Sequence, residues 1–159
     1  VTREGGNLMI IRPYRPEDCK TLVELFQNTI YKINKKDYSL PQIHAWADSN
    51  LDLSEWNTSF LAHNTQIAEI DHMIVGFGDI DQTGYLDHLY VHADYQHRGI
   101  ATALCNELEQ SVNTSKIVTH ASITARPFFE KRGYQAVKEQ QVERNGIFLT
   151  NYVMEYHRF

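Results

Sequence analysis

Apolar residues recur along this chain with two different periods, and the points where one period gives way to the other mark its elements. Met9-Ile10-Ile11-Arg12-Pro13 reads as a strand. Pro16-Glu17-Asp18 then puts a proline and two acids where the first turn of a helix favours them. Leu22, Leu25, Phe26, Thr29, Ile30 and Ile33 follow at helical spacing, which predicts a helix over 17–33. Ser39 ahead of Pro41 marks a second helix, with Ile43, Trp46 and Ala47 on one side, and Ser54-Glu55-Trp56 through Ala62 marks a third. Beyond Asn64 the texture changes to short strands, Thr65 to Ile70, Ile74 to Ile80 and Tyr85 to His92, joined at Asp71-His72 and at Gln82-Thr83-Gly84. That is an antiparallel meander. A helix carrying Leu104, Leu108 and Val112 on one face comes next, then a strand from Lys116 to His120, a short helix over 124–131, and two strands joined by Asn145-Gly146, a strong hairpin signal. No repeat or linker divides the chain, and the order β-α-α-α-β-β-β-α-β-α-β-β predicts an α+β domain around one mixed sheet. Val1 to Leu8 carry adjacent glycines and no periodicity. They are expected to form a tail outside the fold, with Met9 a natural start and 9–159 a single domain.

The stretch that carries chemistry lies between the strand ending at His92 and the helix that follows it. Gln96-His97-Arg98-Gly99-Ile100-Ala101 forms a short loop running into a helix N-terminus, where unpaired N–H groups and the positive end of the helix dipole attract phosphate. Gly99 lets backbone approach an anion without a Cβ in the way, Ala101 keeps the first turn slim, and Arg98 adds a mobile positive charge. By itself the pattern is more often only an ordinary turn.

Its surroundings are more specific. Gln96, Gly99 and Ala101 fill a pattern of Gln or Arg, two residues, Gly, one residue, Gly or Ala, which resembles the pyrophosphate-binding loop of the GNAT superfamily of acyl-coenzyme A N-acyltransferases. Leu89 to Tyr95 is similar to that family's fourth strand and its exit, and Ala125 to Tyr134, with Phe128-Phe129-Glu130-Lys131 and Gly133, looks like its segment of alanine, paired aromatics, Glu-Lys, Gly and aromatic. The resemblance runs over roughly residues 9–156 in the family's order and spacing. It implies a mixed, mostly antiparallel sheet of about seven strands, splayed between the fourth and fifth and flanked by helices. Pantetheine would lie in the splay against Leu89, Tyr90 and Val91, the pyrophosphate on residues 97–102 beside Gln96, and Ser122, Phe128 and Phe129 on the other wall. The co-substrate implied is acetyl-CoA, with no metal.

Transfer to an amine needs a base, an oxyanion site and a proton for the leaving thiolate. Backbone N–H near Val91 is the expected oxyanion donor. Asp87 stands where related enzymes often carry an acid and is the first candidate for the base; the competing reading is a strand-start cap or ion pair. His88 is the second candidate, because imidazole titrates near neutral pH. On a regular strand the two point to opposite sides, which makes them alternatives and not a dyad. His88, His92 and His97 do not suggest a metal site, since strand positions four apart lie about 13 Å from each other; they read as solvated histidines. Where many relatives place a tyrosine beside the cofactor sulfur this chain has Phe129, and where they often place an asparagine it has Ser122. Tyr90 and Tyr134 are the other phenols in range on sequence. Tyr31, Tyr38, Trp46 and Trp56 fall where the acceptor wall is expected, with helix packing as the plain reading of the two tryptophans.

Composition narrows the partners. A net charge of −5 with scattered Lys and Arg supplies no footprint for nucleic acid and favours a cationic or neutral amine over an acidic acceptor. No apolar run reaches the length of a membrane span and no secretory leader is apparent, so no membrane partner is expected and the expected compartment is cytoplasmic. Cys19 and Cys105, far apart in predicted helices, read as free thiols. The last strand, Ile147 to Tyr156, either pairs across a homodimer or closes the sheet within the chain. A non-catalytic acyl-CoA binding domain and a structural module without ligand are the rival readings of the whole.

Overall fold

A computed structural model of the chain describes every residue except Val1, Gly5, Gly6, Ser49 and Asn50. Its strands are β1 (Thr2–Glu4), β2 (Asn7–Pro13), β3 (Asn64–Ile70), β4 (Met73–Ile80), β5 (Tyr85–Val91), β6 (Lys116–Ser122), β7 (Gln135–Arg144) and β8 (Ile147–His157). Its α-helices are α1 (Cys19–Lys32), α2 (Leu40–Ala47), α3 (Leu53–Ala62), α4 (Ile100–Gln110) and α5 (Arg126–Lys131). The strands form one sheet in the order β1-β2-β3-β4-β5-β6-β8-β7. All neighbours are antiparallel except β5 and β6, which run parallel. The expected mixed sheet flanked by helices is therefore the observed one, with the fourth and fifth strands counted from Met9 appearing here as β5 and β6. Within the stretch expected to form a tail, Thr2–Glu4 pairs with Asn7–Met9 and adds an eighth strand at the edge.

Local chemistry explains the element ends. The acids expected in the first turn of a long helix instead form a single 3-10 turn, Pro16–Asp18, and α1 begins at Cys19. Asp18 is drawn back to the sheet by Arg12 on β2, which holds both carboxylate oxygens at 2.9 Å. Ser39 and Gln42 close a reciprocal capping box at the start of α2. Asn145 and Gly146, with φ of 51° and 80°, make the hairpin turn between β7 and β8, because a type I′ turn needs positive φ at both positions.

The core has two layers. Leu22, Phe26, Ile30, Trp56 and Phe60 pack from α1 and α3 onto Ile67 and Phe77 on one face of the sheet, so Trp56 takes the packing role. On the other face Cys105 and Leu108 of α4, with Phe129 of α5, cover Ile80, Leu86, Ile117 and Met154, while Ile100 and Leu104 pack on Ala68 and Val75. Both cysteines are free and buried. β8 lies between β6 and β7 with both edges paired, so it closes the sheet within the chain and offers no edge to a second copy. Among the described residues no helix is long and apolar enough to cross a membrane.

Candidate active site

The parallel junction of β5 and β6 is short. Only Tyr85 and Val118, and Leu86 and Thr119, face each other across it, and the Thr119 hydroxyl donates to the Leu86 carbonyl at 2.9 Å. Past that point the strands diverge, and β5 keeps only its bonds to β4. A cleft of about 1150 Å³ opens there. Every residue expected to touch the cofactor lines it: residues 89–91 and 96–102, with Ser122, Phe128 and Phe129 opposite. Gly99 is the N-cap of α4 at φ 79°, and a Cβ placed on it would meet nothing within 4 Å, so the helix N-terminus faces open space. That geometry is a cradle for an anion. Lys32, Lys35, Lys36, Arg98 and Lys131 also line the cleft, concentrating positive charge there in a chain of net charge −5. The lysines after α1 have no motif and went unnoticed in the sequence.

Two of these residues do structural work as well. The Gln96 side chain turns inward and donates to the Val91 carbonyl at 2.8 Å and the His92 carbonyl at 3.4 Å, bracing the loop against the strand it leaves. Phe129 is 3% exposed and packs on Tyr134, so it is at once core and cleft wall.

Asp87 and His88 are where strand logic fails. Asp79 on β4 faces His88, and Ile80 faces Leu86, which leaves Asp87 as the additional residue of a β-bulge. A bulge interrupts the alternation of side chains and re-aims them. Asp87 Oδ2 consequently comes within 3.7 Å of His88 Nδ1, and the two are neighbours, contrary to the expectation from a regular strand. His88 is not a solvated histidine either. Its ring is set among Phe26, Trp56, Phe60 and Phe77. Its Nδ1 and backbone N–H both bond Asp79 Oδ1, at 2.9 and 2.8 Å, while His63 Nδ1 bonds Asp79 Oδ2 at 2.8 Å. Burial favours a neutral Asp79, but the two imidazoles outweigh it and hold the carboxyl below its usual range. His88, pushed down by burial, is carried up by the same hydrogen bond, and His63 is raised by its bond to Asp79. His92 caps the turn before the loop by accepting from the Asp94 N–H.

Asp87 is the group left facing solvent and cavity. Burial raises its pKa above the ordinary carboxylate value, with His88 opposing and Asp79 adding to the rise. It lines the long cleft and also a second hollow of about 140 Å³, on the side of the sheet that carries α1 and α2. Trp46, Asp87, Tyr90, His120 and Ser122 are common to both cavities. His88 lines neither. Ligand atoms of His63, Asp79 and Asp87 lie within 4.8 Å of one another, but the Asp79 oxygens are already engaged by two imidazoles and a backbone N–H, which a cation would have to displace.

The aromatic wall is partly as expected. Tyr38 and Trp46 line the smaller hollow, and the Tyr38 hydroxyl donates to the Thr150 carbonyl and accepts from the Ile123 N–H. Tyr31 does not reach it. Its phenol donates to Asp48 at 2.6 Å and contacts His44, at the packing of α1 on α2. Tyr134 is removed from consideration as a proton donor, since its hydroxyl is buried against Glu109 at 2.5 Å. Tyr90 sits at the junction of the two cavities and accepts a hydrogen bond from the Trp46 side chain; burial raises its pKa and keeps it protonated. The Ser122 hydroxyl accepts from the Ala125 N–H at 3.0 Å, leaving its own O–H to donate.

Known proteins share this arrangement. The family model described as acetyltransferase (GNAT) domain matches residues 34–156. An uncharacterised N-acetyltransferase of Escherichia coli (strain K12), YafP, is 38% identical over 151 residues, covering 94% of this chain and 97% of that one. A GCN5-related N-acetyltransferase from Rhodopseudomonas palustris, also described as a class-II aminotransferase, superposes with a TM-score of 0.90 at 33% identity, covering 93% of this chain and 94% of the other. PaiA N-acetyltransferase of Thermoplasma acidophilum, solved with coenzyme A, has the same fold at 18% identity, with a TM-score of 0.75 over 94% of this chain and 99% of its own. The chain therefore belongs to the GNAT family of acetyltransferases, enzymes that take their acyl group from coenzyme A.

Proposed function

We propose that the protein moves an acetyl group from acetyl-CoA to a primary amine by direct attack while both are bound. The observation that carries this reading is that the long cleft and the smaller hollow share Asp87, Tyr90, His120 and Ser122 as a common wall. A donor in one and an acceptor in the other would meet there, which supplies proximity without an acyl-enzyme. The fit of the donor rests on the cradle at Gly99, the lysine-lined cleft and the unpaired edge of β5 beyond Leu86, where pantetheine amides would find backbone partners. Acetyl-CoA brings the acyl group as a thioester, so the amine nitrogen bonds to the carbonyl carbon as the carbon–sulfur bond breaks. Asp87, made more basic by burial, takes the proton the amine gives up. Backbone N–H on β5 near Val91 stabilises the oxyanion. Tyr90, at the junction and protonated, is the phenol in position to return a proton to the thiolate in place of the one that Phe129 lacks.

The second reading, an acyl-CoA binding domain without turnover, is favoured by one feature, the apolar Phe129. The two are separated by thiol release from acetyl-CoA with a panel of primary amines, with the acetylated product checked by mass. Amine-dependent release that disappears in Gly99→Glu, where a carboxylate occupies the anion cradle, is the expected result. Binding of acetyl-CoA with no release by any amine would leave the binding domain.

A further inference from the structure

Asn151 and Arg144 line the smaller hollow, and neither side chain is fully engaged by the fold. Among the described residues Asn151 Oδ1 is buried without a hydrogen-bond donor. Such an oxygen costs about 1–3 kcal/mol unless something donates to it. The Arg144 guanidinium lines the same hollow and bonds the carbonyl of its neighbour Glu143. The arginines that pair with carboxylates among the described residues are Arg12, Arg15, Arg126 and Arg132, and Arg144 is not one of them. A guanidinium fork matches a carboxylate through two parallel hydrogen bonds, which a lysine in its place would not offer.

Asp87 thus presents an acceptor to an N–H-rich cation, and Arg144 presents donors to an anion, within one lining. Aromatic rings of Tyr38, Trp46, Tyr85 and Tyr90 complete the walls and suit a short carbon skeleton. The volume of about 140 Å³ is close to that of a cavity of about 150 Å³ that admits benzene, which sets the scale of the occupant at a small molecule. A polyamine would leave Arg144 facing a second cation.

We infer that the acceptor is a free α-amino acid, bound with its amine toward Asp87 and its carboxylate toward Arg144. The inference rests on the reading of this hollow as the acceptor site. During turnover the bound ammonium gives one proton to Asp87 to expose the lone pair, the carbon–nitrogen bond forms as the carbon–sulfur bond breaks, and the second N–H proton ends on the departing thiolate with Tyr90 as the relay.

The test compares the twenty common amino acids, tested singly, with their C-terminal amides and with the matching amines that lack the carboxylate, as acceptors for acetyl-CoA. At least one free amino acid is expected to exceed its amide by tenfold or more in kcat/KM, and Arg144→Gln is expected to bring that ratio close to one, chiefly through KM. Amides or simple amines used as well as the acids would overturn the assignment, as would a preference that survives Arg144→Gln. Should no acceptor release thiol, the transferase reading fails, and calorimetric titration of the same amino acids in the presence of coenzyme A decides this one: binding lost in Arg144→Gln supports it, and no binding ends it.

Discussion

Two polar clusters meet at the bulge on β5, and they are built on opposite terms. Around Asp79 every strong group is answered: two imidazoles and a backbone N–H converge on its carboxylate in a site with no exposed carboxylate surface. Around Asp87, a few ångströms away, the nearest ion-pair contact is His88 Nδ1 at 3.7 Å, and Arg144 has no carboxylate partner among the described residues. Groups fully answered have nothing to give a ligand, whereas a partly exposed carboxylate and an exposed guanidinium keep their hydrogen-bonding capacity for one. The first cluster therefore holds the strand in shape, and the second is shaped for something that arrives.

Mutations at the two clusters should separate accordingly. The largest effect is expected from Asp87→Asn, which should lower kcat by about 100- to 10,000-fold, the usual contribution of a general base, while acetyl-CoA still binds. Steady-state kinetics with the best amine would show this, and a loss under about threefold would move the base elsewhere. Asp79→Asn should act on stability instead. Removing one member of a buried charged cluster typically costs about 3 kcal/mol or more, measurable as a shift of the urea midpoint. The pH dependence follows from the shifts. His63 and His88 are raised in the folded state, so their contribution is complete below the ordinary histidine value and is lost as pH rises through their folded values. Asp79 is lowered, so its contribution is present above the ordinary carboxylate value and is lost as pH falls through its folded one. A plot of urea midpoint against pH should rise and fall about that window in the parent and flatten in Asp79→Asn. The smallest change in stability is expected from Asn151→Ala, within about 1 kcal/mol of the parent or slightly above it, because it deletes an orphaned acceptor. If Asn151→Ala destabilises the protein as much as Asp79→Asn, the contrast between the clusters is wrong.

The donor side was legible in the sequence because it is local. Gly99, Ala101 and the helix after them lie within a few residues, and a helix N-terminus carries its anion site wherever it is placed. The acceptor side is assembled from positions that sequence separates. Arg144 and Asn151 reach Asp87 only because the β7–β8 hairpin folds beside β6, and no local pattern announces that. The relation of Asp87 to His88 was misjudged because alternation holds only for a regular ladder, and the bulge appears only once β4 is paired with β5. Asp79 did leave a trace: it is the single acid in the otherwise apolar run from Met73 to Ile80. Tyr31 was one helical position off, turned toward α2 while its neighbour Ile30 enters the core.

The short contact between β5 and β6 has a mechanical consequence. A sheet of eight strands is held across its middle by two facing residue pairs, so its halves, β1 to β5 and β6-β8-β7, are joined by the shortest ladder among the described strand pairs. A chain of amides lying along that gap would stitch the seam from both sides. Amide protons on β5 and β6 should then exchange with solvent more slowly once coenzyme A is bound than those of the outer strands do, making the donor a temporary strand of the fold as well as its reagent.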